Sequence, residues 1–359
     1  MPNICNSPGH WREVRRLLNS RRHELTALAA ELYPMAHRVG STRLLCQPSW
    51  LPDEPLDLDA IALSWLDGAP PAPAPPEGAS YAEALAAIER PALLENRVTY
   101  RLLAADLAGP PAGLTLTRGR YFDWVNTGEA VAHELAGAWL EDQILFSTER
   151  LRLRTLIGDP CDLGRRSALC AVTTLTLRIP AAGEPTFLLH WRDPALVTHA
   201  GGLYQVMPAG IFQPTAGSAA AESGDLDLWR CMAREFSEEF LGTPDGYGRA
   251  VDYGNWAFYR ELSAARAAGK VRVSCLGLGT DPLTLATDLL TVAAFAGDVF
   301  DELFGGLVES NEEGRVVSMA GVPFSAETVD RFTGGTERMQ AAGAAVLELA
   351  WRHRRQLLL

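Results

Sequence analysis

No apolar run in the 359 residues approaches the roughly 18 uninterrupted residues that a membrane-spanning helix requires. The N-terminus, MPNICNSPGHWREVRR, lacks the charged-then-apolar order of a signal peptide, so a soluble cytoplasmic chain with no membrane partner is expected. Cysteine is sparse: the six (Cys5, Cys46, Cys161, Cys170, Cys231, Cys275) are scattered, with no CxxC pair and no histidine at zinc-ligand spacing. That excludes a zinc module and predicts reduced, mostly buried thiols. Positive charge is in deficit, with 32 Lys and Arg against 44 Asp and Glu and a net charge of -12. That argues against a broad nucleic-acid surface, and any anionic substrate needs a local cation. Internal repeats are absent. His133-Glu134-Leu135 is not a zinc-protease signature, since the position four residues after His133 is Gly137.

The chain does hold 47% hydrophobic residues, enough for a sizeable core, and its length predicts two domains. Residues 11–33 carry Val14, Leu17, Leu18, Leu25, Leu28 and Leu32 near helical spacing before Pro34, which predicts one basic amphipathic helix. Its arginines (Arg12, Arg15, Arg16, Arg21, Arg22) suit a solvated face. A DNA-reading helix-turn-helix needs a second helix after a short turn, which PMAHRVGSTRLLCQPSW does not supply. GAPPAPAPPEGAS, residues 68–80, excludes regular structure and predicts an exposed loop. A helix at 80–90, strands over NRVTYRLLAADL and LTLTRGRYFDWV, and a helix capped by Thr127 follow. A boundary is placed near residues 157–166, dividing the chain into 1–160, α+β and of unassigned role, and 161–359.

Past that boundary, ALCAVTTLTLRI, PTFLLHWRD and GLYQVMPAG predict strands, and IFQPTAGSAAAESGD a long loop. A helix then starts at Asp225 or Asp227; GKVRVSCLGLGT and DLLTVAAFA predict two more strands, and SAETVDRF and ERMQAAGAAVLELAWRHRRQLL two more helices. On the first of these helices, Leu228, Trp229, Met232, Phe236 and Phe240 form an apolar stripe with Glu235, Glu238 and Glu239 along its edge. Arg234 can pair with Glu238 at i,i+4. Glu235 and Glu239, also at i,i+4, repel by about 0.2 to 0.5 kcal/mol when exposed. A hard divalent cation reverses that sign, because carboxylate oxygens are the natural ligands of Mg2+; the competing explanation is a plain solvated acidic face.

REFSEEFLG, Arg234 to Gly242, resembles the core of the Nudix box, in which Arg-Glu, an apolar residue, any residue and Glu-Glu follow in order. The strand-ending MPAG resembles the turn that opens the box, and NEEGRVVSMAGVPFSAETV its downstream acidic segment, strand and helix. The resemblance spans roughly residues 165–345. Counting back from Arg234, the expected Glu falls on Leu226 and the expected Gly on Ala220. Gly210 lies 24 residues before Arg234, an apparent ten-residue insertion within TAGSAAAESG, and the closing Gly comes one residue late, at Gly242.

What the resemblance implies is a Nudix-like α/β/α sandwich around a mixed sheet, and a Mg2+- or Mn2+-dependent hydrolase of a diphosphate-linked, nucleotide-like small molecule. It implies Glu235, Glu238 and Glu239 as metal ligands, with Glu235 and Glu239 also catalytic. Arg234 would orient them, the Gly210 backbone would approach the substrate, and Glu312 or Glu313 (Glu309 less so) would be the general base. His190, Trp191 and Arg192 end a strand just upstream; one reading has them, Arg192 foremost, touch a substrate phosphate or base, and the other is a core Trp with flanking surface residues. Trp256, Phe258 and Tyr259 are read as an aromatic core patch, and Tyr121, Phe122 and Trp124 as residues packing towards the second domain. The alternative is a catalytically weak or inactive Nudix-fold sensor of a nucleotide-like ligand, DNA-associated through the basic helix. A third option is isomerisation of a prenyl diphosphate, for which no catalytic cysteine is identifiable. A homodimer is left open.

Overall fold

The computed structural model describes residues 7–71, 80–91, 93–141, 151–192, 202–308, 310–311, 314–317 and 321–358. Most of the predicted 68–80 loop lies outside these residues.

The basic N-terminal stretch is two helices, α1 (Pro8–Ser20) and α2 (Arg22–Glu31), not one. Arg21 leaves the helical region at φ -123. Arg15 and Arg22 are two turns apart, about 10 Å of rise in a straight helix; the break brings both to one carboxylate. Arg15 Nη1 lies 3.1 Å from Glu129 Oε2, and Arg22 Nη2 lies 3.0 Å from Glu129 Oε1. Both arginines are buried, while Arg12, Arg16 and Arg21 are exposed, so only part of the expected solvated face is solvated.

The strands β1 (His37–Arg38), β2 (Leu45–Cys46), β3 (Leu56–Asp57) and β4 (Ala62–Trp65) come next. Helix α3 (Tyr81–Ile88) is fixed by a Ser80/Glu83 capping box. It precedes β5 (Val98–Asp106) and β6 (Gly113–Arg120). Helical structure then runs through α4 (Tyr121–Trp124), a π-turn (Val125–Glu129) and α5 (Ala130–Leu140). Thr127 is therefore inside the helical run and caps nothing; its Oγ1 donates to the Asp123 carbonyl at 2.9 Å.

After α6 (Arg152–Ile157) comes the long β7 (Ala168–Ile179), then β8 (Thr186–Phe187), β9 (Leu189–Arg192), β10 (Tyr204–Val206) and β11 (Ala209–Ile211). The expected loop after β11 contains a short helix, α7 (Ala219–Gly224), capped by Ser218. Helices α8 (Leu228–Leu241) and α9 (Ala257–Ala267) lead to β12 (Val271–Thr280), β13 (Thr287–Ala296) and α10 (Gly297–Leu303). The chain finishes with β14 (Ser310–Asn311), β15 (Gly314–Val316), β16 (Val322–Pro323), α11 (Ala326–Thr333), α12 (Ala341–Arg352) and α13 (Arg354–Leu357).

The architecture is mixed α/β. A 12-stranded sheet runs β1-β2-β12-β13-β7-β5-β6-β4, with β11 and β8 also on β7. β13 and β7 are parallel from Thr287 opposite Cys170 to Ala296 opposite Ile179. Their neighbours β12 and β11 are antiparallel. A four-stranded sheet, β10-β9-β15-β14, stands beside it. Strands from both sides of residue 160 share the large sheet, through β5 on β7 and through β2 and β3 on β12. One apolar cluster likewise joins Leu45, Tyr100 and Leu116 to Leu175, Phe236 and Leu290.

Candidate functional site

Helix α8 is locally determined. Asp227 caps it, its side chain accepting from Arg230 N at 3.0 Å, and Gly242 ends it in the left-handed region at φ 67. The predicted stripe Leu228, Trp229, Met232, Phe236 and Phe240 is buried. Phe236 meets Phe295 of β13 with ring centroids 5.5 Å apart.

This docking leaves Glu235, Glu238 and Glu239 half-buried along the helix edge. Glu235 sits directly on β11: a Cβ at Gly210 would lie 1.9 Å from the Glu235 carboxyl carbon and 2.1 Å from each oxygen. With the carboxyl in that position there is no room for a Cβ at residue 210. One residue earlier, Ala209 N donates to Glu239 Oε1 at 2.8 Å. Two glutamates one helical turn apart are thus brought to consecutive residues of one short strand.

Arg234 is buried behind them. Its guanidinium donates to the Tyr253 hydroxyl and, at 2.7 Å, to the Gln213 carbonyl, and it lies 3.5 Å from Asp225 Oδ1. Burial opposes its charge, yet Tyr253, Asp225 and Glu235 hold its pKa above the ordinary value. Asp225 therefore does not cap α8. It accepts from Thr215 N and Oγ1 at 2.8 and 2.7 Å and from Tyr253 at 2.7 Å. The apparent insertion thus ends beside the residue that receives Arg234.

The three glutamates and Gly210 line an open cavity of about 1590 Å³. Asp288, which the sequence reading passed over, lines it too. Seven residues from Phe295 on a regular strand, it faces the side of the sheet opposite α8. Thr173 Oγ1 donates to its Oδ1 at 2.8 Å. Burial, opposed by that hydrogen bond and reinforced by Asp281, pushes its pKa up to about 7. The available signal was one acid inside an apolar strand sequence. Tyr121 and Trp124 also reach the cavity, so residues before 160 contribute to its wall.

Other expected residues lie elsewhere. Trp256 and Tyr259 stack on each other at 6.1 Å and Phe258 meets Phe304 at 6.0 Å, the predicted core patch. His190 is buried on β9 opposite Gln205. Glu309, Glu312, Glu313 and the Arg192 side chain lie outside the described residues. The five described cysteines are buried free thiols, and burial pushes Cys231, next to the acidic residues, up to about 12. Among the described residues, no group of three or more His, Cys, Asp or Glu side chains is placed to hold a metal ion, and no helix is long and apolar enough to cross a membrane. The glutamates supply the hard oxygen donors that Mg2+ or Mn2+ takes, and Glu235 uses the space that Gly210 leaves, but they are not gathered into a finished ligand set.

No family model matches the chain, and no curated protein matches it. Among solved structures it is similar to a NUDIX hydrolase from Alicyclobacillus acidocaldarius, at 20% identity over 50% of this chain and 90% of that one, with a TM-score of 0.30.

Proposed function

We propose that the protein is a divalent-metal-dependent hydrolase of a diphosphate-linked, nucleotide-like small molecule. The observation that carries this reading is the seating of the Glu235 carboxyl on Gly210, with Glu239 tied to the next backbone N–H, on a helix that keeps the Arg-Glu-x-x-Glu-Glu order. Glu235, Glu238 and Glu239 would hold Mg2+ or Mn2+. When bound, the ion neutralises the diphosphate and lowers the pKa of a water molecule. The chain's own residues do the rest. Gly210 lets backbone and carboxylate meet at the substrate; Arg234, fixed by Asp225, Tyr253 and Gln213, holds the helix at that depth. Glu312 and Glu313 remain our candidates for the base and Arg192 for a phosphate contact. The division at residue 160 becomes one of labour: residues 161–359 carry the acidic helix, and the preceding ones close part of the cavity.

A second reading, a nucleotide-like ligand sensor without turnover, is favoured by the incomplete box, with Leu226 and Ala220 where Glu and Gly are expected. One experiment separates the two. Glu238→Gln with Glu239→Gln should cut Mg2+-dependent phosphate or nucleotide release from a diphosphate panel by at least about 100-fold, since even outer-shell partners of a metal are worth roughly 10- to 100-fold. Full activity in the double mutant removes the hydrolase reading. Ligand-induced thermal stabilisation of the wild type with no release from any panel member supports the sensor.

A further inference from the structure

Away from the glutamates, one stretch of the cavity wall carries cations, although Glu95, Asp245, Asp281 and Asp288 line the same cavity. Arg22 and His23 open α2, Arg43 stands between β1 and β2, and all three line the cavity, with Thr26 beside them. Arg43 Nη1 donates to His23 Nε2 at 3.1 Å, which places the imidazole proton on Nδ1. Burial, then Arg43, holds the His23 pKa below the ordinary value. The imidazole therefore aims the guanidinium and adds no charge of its own. Arg43 is half-buried, and His23 is its one hydrogen-bond partner among the described residues.

Arg22 adds a second charge. It is 3% exposed; its Nη2 reaches Glu129, but its Nε and Nη1 have no hydrogen-bond partner. A buried donor left unmet is destabilising, and such a group points to an ion or water. Of the nearby acids, Glu24 is paired through Oε1 while its buried Oε2 has no hydrogen-bond partner, and the others are engaged. Glu24 pairs with Arg21 at 3.4 Å and Arg338 at 3.0 Å, and Glu129 is shared by Arg15 and Arg22. Asp281 accepts from Leu283 N, Thr284 N and Thr284 Oγ1.

We propose that Arg22, His23 and Arg43 form an anion site that takes a phosphate group, Arg43 contacting it directly and Arg22 supplying buried positive charge behind it. Because Glu235 and Gly210 line the same cavity, the preferred ligand carries a second anionic group besides its diphosphate; that part rests on the function proposed above.

The probe is inorganic phosphate, titrated calorimetrically into the full chain in EDTA so that the glutamates hold no cation. Wild type should bind at concentrations on the order of millimolar, as a single charge-assisted contact allows. Arg43→Gln should weaken binding at least about tenfold, and Arg43→Lys should keep part of it, retaining charge without the fork. Glu238→Gln with Glu239→Gln should leave it unchanged. His23→Ala should weaken binding several-fold and serves as the readout if Arg43→Gln loses its fold. No phosphate binding by wild type, or equal binding by a folded Arg43→Gln, overturns the site. Hydrolysis that survives the glutamate double mutant while Arg43→Gln abolishes phosphate binding sinks the hydrolase reading and leaves the anion site standing. Glutamate-dependent hydrolysis with phosphate binding indifferent to Arg43 does the reverse.

Discussion

Asp288 is an acid set in an apolar strand sequence, and its chemistry is not that of a free carboxylate. Its pKa, pushed up to about 7 mainly by burial, stands above the roughly 3.9 of a free aspartate. Between those values the folded chain keeps a proton that the unfolded chain has lost. Its contribution to stability is therefore full below about pH 4, is lost as pH rises to about 7, and is constant beyond. Asp288→Asn should remove that slope, and above pH 7 it should be more stable than wild type by on the order of a few kcal/mol. Melting temperatures of both proteins from pH 4 to 8 measure this; parallel curves would show that the carboxyl titrates normally. Nothing in DLLTVAAFA distinguishes a solvated acid from this one, because the distinction depends on β7 and on Thr173 across it.

Helix α8 and strand β11 form the element-scale unit of the site. The helix is legible in sequence: a capping Asp227, an apolar stripe at helical spacing and Gly242 at the exit are local instructions. Its docking depth is not, since it depends on how closely Glu235 can approach Gly210. Gly210→Ala should push the Glu235 carboxyl, the free end of a flexible side chain, off β11, changing stability by less than about 1 kcal/mol while reducing hydrolysis. Urea denaturation together with the diphosphate assay tests it; undiminished hydrolysis would mean that the seating on Gly210 plays no part in the reaction. The break between α1 and α2 is of the same kind. Periodicity extends one helix over 11–33, but Glu129, more than 100 residues on, draws Arg15 and Arg22 inward.

On the scale of the molecule, the sheet ties the two halves together. β7 receives β5 at Leu169 and Ala168, and β12 receives β2 at Thr280 and β3 at Ser274 and Cys275. Residues 161–359 expressed alone would bare those sheet edges and part of the shared apolar cluster. That fragment should aggregate, or bind a hydrophobic dye and give poorly dispersed NMR spectra. A soluble fragment with sharp, dispersed resonances would falsify the structural interdependence of the halves.

By itself the sequence determined what short-range rules can reach: the elements with strong period and caps, the apolar face of α8 and the glutamates on its edge. Tertiary structure alone decided where charges end up. Arg234 finds Asp225, Arg22 and Arg15 find Glu129, Asp288 becomes buried and Arg43 meets His23, because each pairing joins residues from different elements and depends on which backbone approaches the packed sheet allows.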